Sequence, residues 1–293
     1  MALLGDHPID LLHGDLARTI GVYLLDTSEG LSLFDCGPAS CIGALKAGLA
    51  QRGVELPDIR NLLLSHIHLD HAGAAGSLVR EHPRLRVFVS EVGAPHLADP
   101  SRLEHSARRL YGDAFDELWG ELAPVPQENI DIADGRAAGL EVFGAPGHAS
   151  HHVCYDDGTT IYAGDAAGVR IQPARSVLPP TPPPDLDVEA WYRTLEEIER
   201  RAPERLALIH FGLAEDVGRH LAELRERLDA WSRLVEEGAD EAAFVAAARA
   251  ALPPEEADAY DRAMPFWQSY AGLRRYWDTR RHQAQARAPG DRQ

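Results

Sequence analysis

The sequence predicts a layered α/β fold with a helical extension at its C-terminal end. Three observations point there. Up to about residue 215, short apolar runs of strand character alternate with stretches of helical period. Several of those runs end in aspartate or histidine beside glycine, as strand ends do where they converge on one edge of a sheet. From Asp216 onward the period is helical almost to the end. The chain is therefore read as one unit over residues 1–215, with residues 216–293 as a helical extension packed on it.

Taken in order, GVYLLDTSEGLSLFDCGP reads as two strands joined by a polar turn at Ser28–Gly30. Ala39 to Gln51 carries Ile42, Leu45 and Leu49 at helical spacing. A strand over Asn61–Ser65 runs into a histidine-rich turn, and a helix follows to about Glu81. Arg86–Val89 is a further strand. Residues 96–123 place Leu97, Leu103, Leu110, Phe115 and Leu118 among many charges and read as helices. Strands resume at Leu140–Phe143, Val153–Tyr155, Thr160–Ala163 and Leu206–Ile209. Between the last two lie Pro173, Pro179, Pro180, Pro182, Pro183 and Pro184, a density that excludes helix and central strand. Asp187 is the natural N-cap of a helix with Trp191, Leu195 and Ile198 on one face. Val217, Leu221, Leu224, Leu228, Trp231 and Val235 then form one stripe, and Pro253, Pro254 and Pro265 punctuate the later helices.

Composition bounds the function. The 293 residues are 45% hydrophobic and 26% charged, ordinary for a globular protein with a large core. No apolar run reaches the ~18 residues of a membrane span, so no membrane is expected. The N-terminal MALLGDHPIDLLHGD lacks a basic segment before a long apolar stretch, which argues against a signal peptide and for a cytoplasmic location. With 29 Lys and Arg against 46 Asp and Glu, the net charge of −17 repels polyanions, and nucleic acid is not an expected partner. Cys36, Cys41 and Cys154 are odd in number and widely spaced, with no CxxC pair. This excludes a disulfide framework and a zinc knuckle.

The chemistry concentrates in SHIHLDH, residues 65–71, which sets His66, His68, Asp70 and His71 within six positions. Imidazole nitrogen and carboxylate oxygen suit zinc, iron and manganese. Four more apolar runs end in a ligand-type residue: SLFDCG with Asp35, VFGAPGH with His148, IYAGD with Asp165 and LALIHFG with His210. A single histidine is more often a buried or surface residue than a ligand, but five such endings in one chain point to a metal site.

In these motifs and their order, residues 15 to 215 resemble the metallo-β-lactamase superfamily. The resemblance implies an αββα sandwich, with two mixed sheets face to face and helices outside. It implies two divalent ions, zinc in the first place, with iron or manganese also suited. His66, His68 and His148 would hold one ion, Asp70, His71 and His210 the other, and Asp165 would bridge both. Asp35 and His152 would stand behind the ligands, Asp35 where a carboxylate can orient a ligand imidazole. Asp70 would also orient a metal-bridging hydroxide and shuttle a proton. Where many relatives read GHTxGH, this chain reads His148-Ala149-Ser150-His151-His152, and His151 is expected to be structural or on the surface.

The activity so implied is hydrolysis of a small ester, lactone or thioester. No GxSxG elbow is present to suggest a serine nucleophile. Three other readings compete: a phosphodiesterase, a mononuclear iron enzyme of the persulfide-dioxygenase kind on His66, His148 and Asp165, and a binding module without turnover. The partner is expected to be a small molecule, and a homo-oligomer fits as well. The proline-rich loop from Gln172 to Leu186 is expected to wall the substrate cleft. Arg170 is the expected anchor for a substrate carboxylate, and Trp267 and Tyr270 are the expected apolar contacts, although aromatics of the last helix more often serve packing.

Overall fold

A computed structural model describes residues 2–3 and 7–287. Parts of the N-terminal stretch and the last residues of the extension read above lie outside the described residues. The first sheet contains β1 (Ala2–Leu3), β2 (Ile9–Asp10), β3 (Gly21–Thr27), β4 (Gly30–Phe34), β5 (Asn61–Leu63), β6 (Arg86–Val89) and β7 (Ile130–Ile132). Its order is β1-β3-β4-β5-β6-β7, with β2 also on β3. The predicted hairpin is β3 and β4, paired antiparallel from Tyr23–Phe34 to Thr27–Gly30. From β4 to β7 the pairs are parallel. Parallel pairing demands crossovers, which are α1 (Ile42–Ala50), then α2 (Leu69–Ala72) with α3 (Ala75–Glu81), then α4 (Ala94–Ala98), α5 (Ser101–Tyr111) and α6 (Phe115–Trp119).

The second sheet contains β8 (Arg136–Ala137), β9 (Leu140–Gly144), β10 (Val153–Asp156), β11 (Thr160–Tyr162), β12 (Arg205–Leu208) and β13 (Gly212–Ala214), ordered β13-β12-β11-β10-β9-β8. β11 and β12 are parallel, connected by the proline-rich loop and α7 (Val188–Arg201). Asp187 caps α7, accepting from the Ala190 amide at 2.9 Å. The chain then runs through α8 (Val217–Glu236), α9 (Glu241–Ala250), α10 (Pro254–Ala263) and α11 (Phe266–Arg287).

Side chains of the second sheet alternate between two cores, as a strand's period of two requires. Val142, Val153, Tyr155, Tyr162 and Ala207 face the first sheet. Phe143, Cys154, Ile161, Leu206 and Leu208 face α7 and the C-terminal helices. Two tyrosines stitch the sheets together through buried hydroxyls, Tyr23 to the Leu208 carbonyl at 3.0 Å and Tyr155 to the Leu64 carbonyl at 2.9 Å. The helices after Asp216 share the second core: Leu221, Leu224, Leu228, Phe244, Tyr260 and Phe266 are fully buried there.

The helices read in residues 96–123 are α4, α5 and α6, three short ones. Helix ends there fall at Asp99 and at Gly112 and Gly120, the glycines with φ of +56° and +71°. The reading missed β1, β2, β7, β8 and β13, each of two or three residues. Runs that short show no alternation.

Candidate metal centre

The ligand-type residues meet at one end of the sandwich, on segments leaving β4, β5, β9, β11 and β12. Asp35 closes β4 at φ +57°, a left-handed conformation uncommon outside glycine. That turn drives its carboxylate inward, where it is fully buried. One oxygen accepts from the Ser65 amide at 2.7 Å. The other accepts from the Ser65 hydroxyl at 2.8 Å and from His71 Nδ1 at 2.7 Å. Burial raises the Asp35 carboxyl above its ordinary range, against the pull of His71 and Ser65.

Each remaining imidazole has one nitrogen occupied or facing another candidate ligand. His148 Nδ1 lies 2.8 Å from the Pro180 carbonyl, and His210 Nδ1 bonds the Thr19 carbonyl. A carbonyl can only accept, so Nδ1 carries the proton in both rings and Nε2 presents a lone pair. His66 Nδ1 is 3.0 Å from the Ser65 hydroxyl. His68 Nδ1 faces His148 Nε2 at 3.0 Å.

What these rings face is a shared space. His66, His68 and His148 each offer an atom within 4.8 Å of the others, and so do Asp70, His71 and His210. Asp165 stands between the groups. Its Oδ1 is 3.4 Å from His71 Nε2 and 3.6 Å from His210 Nε2, and its Oδ2 is 3.4 Å from His148 Nε2. Asp70 Oδ2 lies 3.3 Å from His210 Nε2 and 3.7 Å from His71 Nε2. His66 Nε2, His71 Nε2 and Asp165 Oδ1 are buried with no hydrogen-bond partner. Three orphaned polar atoms in one buried place are costly unless something else satisfies them, and a divalent cation fits that donor set.

The electrostatics agree. Burial, reinforced by neighbouring imidazoles, holds His66 and His68 well below the ordinary histidine range, and burial outweighs Asp165 to lower His148 as well. Burial would also lower His71 and His210, but Asp165 and Asp70 overcome it and raise both. Burial would raise Asp70 and Asp165, yet His71 and the other imidazoles bring both below the ordinary carboxylate range. The centre thus keeps lone pairs on His66, His68 and His148 and negative charge on both aspartates, while His71 and His210, raised by those aspartates, give up a proton when they ligate a cation. Its open side lies at Asp70, whose side chain is 25% exposed, against 5% or less for His71, His148, Asp165 and His210.

The other residues singled out in the sequence lie in different surroundings. His152 is buried and stacks on His66 at 4.8 Å, but neither of its nitrogens has a partner, so it packs against a ligand without orienting one by a hydrogen bond. His151, expected to be structural or on the surface, is buried; its ring lies 5.6 Å from His68 and its Nε2 4.0 Å from Asp185. The Arg170 guanidinium is committed to Asp216 and only 13% exposed, so it is no free anchor for a carboxylate. Tyr270 packs 5.8 Å from Phe244 in the core of the C-terminal helices, and Trp267 stands partly exposed at the start of α11.

Reading by residue type missed Ser65, which binds Asp35 and reaches His66 and His71, although its place beside His66 was a signal. The Thr19 and Pro180 carbonyls gave no signal, since any residue supplies a carbonyl. Tyr111 was missed too. Its hydroxyl takes a hydrogen bond from Gln268 at 3.2 Å, and burial together with the charge of Asp70 pushes it up to about 12.

Comparison with known proteins fits this geometry. A family model described as the metallo-beta-lactamase superfamily matches residues 19–210. The metallo-beta-lactamase fold-containing protein ST1585 of Sulfurisphaera tokodaii is 24% identical over 161 residues, 52% of this chain and 60% of that one. The probable metallo-hydrolase YflN of Bacillus subtilis is 28% identical over 172 residues, 53% of this chain and 63% of that one. The chain thus spans about three fifths of the length of these curated relatives. Among solved structures, the metallo-beta-lactamase family protein TTHA1429 from Thermus thermophilus superposes with a TM-score of 0.64 at 22% identity. That match covers 90% of this chain and 89% of the other. None of the described helices is long and apolar enough to cross a membrane.

Proposed function

Because the chain belongs to the metallo-beta-lactamase superfamily, we propose that it is a dinuclear metal-dependent hydrolase of a small ester, lactone or thioester. The observation that carries this reading is the set of buried, partnerless atoms His66 Nε2, His71 Nε2 and Asp165 Oδ1, whose residues form one donor group and link His66, His68 and His148 to Asp70, His71 and His210. In the reading, His66, His68 and His148 hold one ion, Asp70, His71 and His210 the other, and Asp165 reaches both. Two such ions supply Lewis acidity and a water acidic enough to attack near neutral pH.

The protein residues do the rest. Asp35 fixes the His71 ring through Nδ1, and the Pro180 and Thr19 carbonyls fix His148 and His210. Asp70, held toward its carboxylate form by His71 and His210, faces the open side, where it would orient the attacking water and take up its proton. The acidic net charge favours a neutral or weakly charged substrate over a polyanion, which sets phosphodiester cleavage of nucleic acid second. Residues 1–215 carry the site in this reading, and residues 216–293 are the extension that supports it.

The test is a panel of lactone, thioester, β-lactam and phosphodiester substrates on protein whose zinc, iron and manganese are measured. Two ions per chain with turnover of a carboxylic ester, lactone or thioester is the expected result. One iron per chain with oxygen consumption would replace the hydrolase by an oxygenase.

A further inference from the structure

We infer that the C-terminal helix α11 is a positioning element for the metal centre. Through the proline-rich loop it sets the carbonyl that holds His148. The inference takes the metal-site reading above for its consequence, but its geometry stands without it.

The chain of contacts is short and buried. His148 Nδ1 donates to the Pro180 carbonyl at 2.8 Å. On one side of Pro180 the loop is pinned to the segment after Asp165 by the reciprocal backbone pair of Leu178 and Val169, at 3.0 and 2.9 Å. On its other side Thr181 is fully buried and donates its hydroxyl to the Ser269 carbonyl of α11 at 3.0 Å. Three residues along that helix, Gly272 lies so close that an added Cβ would sit 2.0 Å from the Thr181 carbonyl oxygen and 2.7 Å from the Pro182 carbonyl carbon. Only a residue without a side chain lets the helix seat there. Arg275, one turn further, donates to the Pro184 carbonyl at 3.3 Å. With Pro179, Pro180 and Pro182 fixing φ between these anchors, the Pro180 carbonyl has little freedom left. The same end of α11 reaches the other wall of the centre, where Gln268 donates to Tyr111.

A carbonyl that fixes the tautomer and angle of a ligand imidazole typically governs metal affinity by about tenfold to a hundredfold when it is disturbed. Gly272 and Thr181 are therefore positioning residues that act through Pro180 on His148. They are not expected to touch substrate.

The experiment compares wild type with Gly272→Ala, Thr181→Val and Thr181→Ser by two readouts. The first is the His148 imidazole in nitrogen-15 spectra of metal-free protein. The second is zinc affinity by competition with a chromophoric chelator. Wild type and Thr181→Ser are expected to show the proton fixed on Nδ1. Gly272→Ala and Thr181→Val are expected to show mixed tautomers, with one of two zinc ions held about tenfold to a hundredfold more weakly. A folded Gly272→Ala protein with the wild-type Nδ1 signal and wild-type zinc affinity would overturn the inference. Should Gly272→Ala fail to fold, Thr181→Val with wild-type values in both readouts overturns it instead. If wild type takes up no zinc, iron or manganese, the dinuclear reading falls, and the nitrogen spectra still decide whether α11 sets the His148 ring.

Discussion

At Asp165 the two carboxylate oxygens face different neighbours, Oδ1 toward His71 and His210 and Oδ2 toward His148. Removing that side chain takes a donor from both groups at once. Asp165→Ala is expected to lose most bound metal and nearly all hydrolysis. Elemental analysis that found two ions still in place would end the bridging role. Arg170 invites the opposite expectation. Its guanidinium is spent on Asp216, so Arg170→Met should leave KM for any substrate unchanged and lower the melting temperature by a few degrees; a raised KM at constant kcat would restore the anchor role. The difference between these residues shows what was legible at this scale. His66, His68, Asp70, His71, His148, Asp165 and His210 stood out because ligand chemistry needs particular side chains at strand ends. The partner of Arg170, 46 residues away, and the carbonyls behind His148 and His210 are properties of the folded backbone. No residue type announces them.

Among the elements, α7 and α8 carry the next expectations. α7 seats where Gly147 has φ +145° and an added Cβ would meet the Trp191 backbone at 2.4 Å. Trp191 in turn donates its indole N–H to the Ala166 carbonyl at 2.7 Å. Gly147→Ala should therefore cost on the order of 3 kcal/mol, read by urea unfolding; a loss within experimental error would mean that α7 can shift freely. On α8, His220 is 1% exposed, with Nε2 2.7 Å from the Ala167 carbonyl. Burial, only partly offset by that hydrogen bond, brings its imidazole down to about 4. A histidine whose folded value lies below its unfolded one, ~6.5, gives stability that is full above the unfolded value. That stability is lost as pH falls toward the folded value. Between pH 7.5 and 5, wild type should lose about 2 kcal/mol more than His220→Gln in urea unfolding; equal losses would assign the acid sensitivity to other groups. The long elements were legible because their apolar residues repeat, as along α8. The two- and three-residue strands were not, because pairing with a neighbour defines them and their own residues do not.

For the whole molecule, the two cores share one wall. The second sheet presents Tyr155 and Tyr162 to the first sheet and Cys154 and Ile161 to the helices, so neither core survives the loss of that sheet. An ion bound only by the folded state stabilises it in proportion to the logarithm of its concentration over its dissociation constant. Stripping metal with a chelator should lower the melting temperature by roughly 5–10 °C, and returned zinc should restore it; identical melting curves would mean that no such ion is bound. The layout of the donors has a further result in time. His68 and His148 are 80 residues apart in sequence and stand on segments leaving different sheets, yet their ring nitrogens are 3.0 Å apart. A nascent or refolding chain owns His66, His68, Asp70 and His71 as a local fragment, but gains the other donors only when the sheets dock. On the proposed reading, tight capture of an ion would then be the last event of maturation. A chelator-resistant ion would serve as a clock for sandwich closure, running behind the recovery of secondary structure.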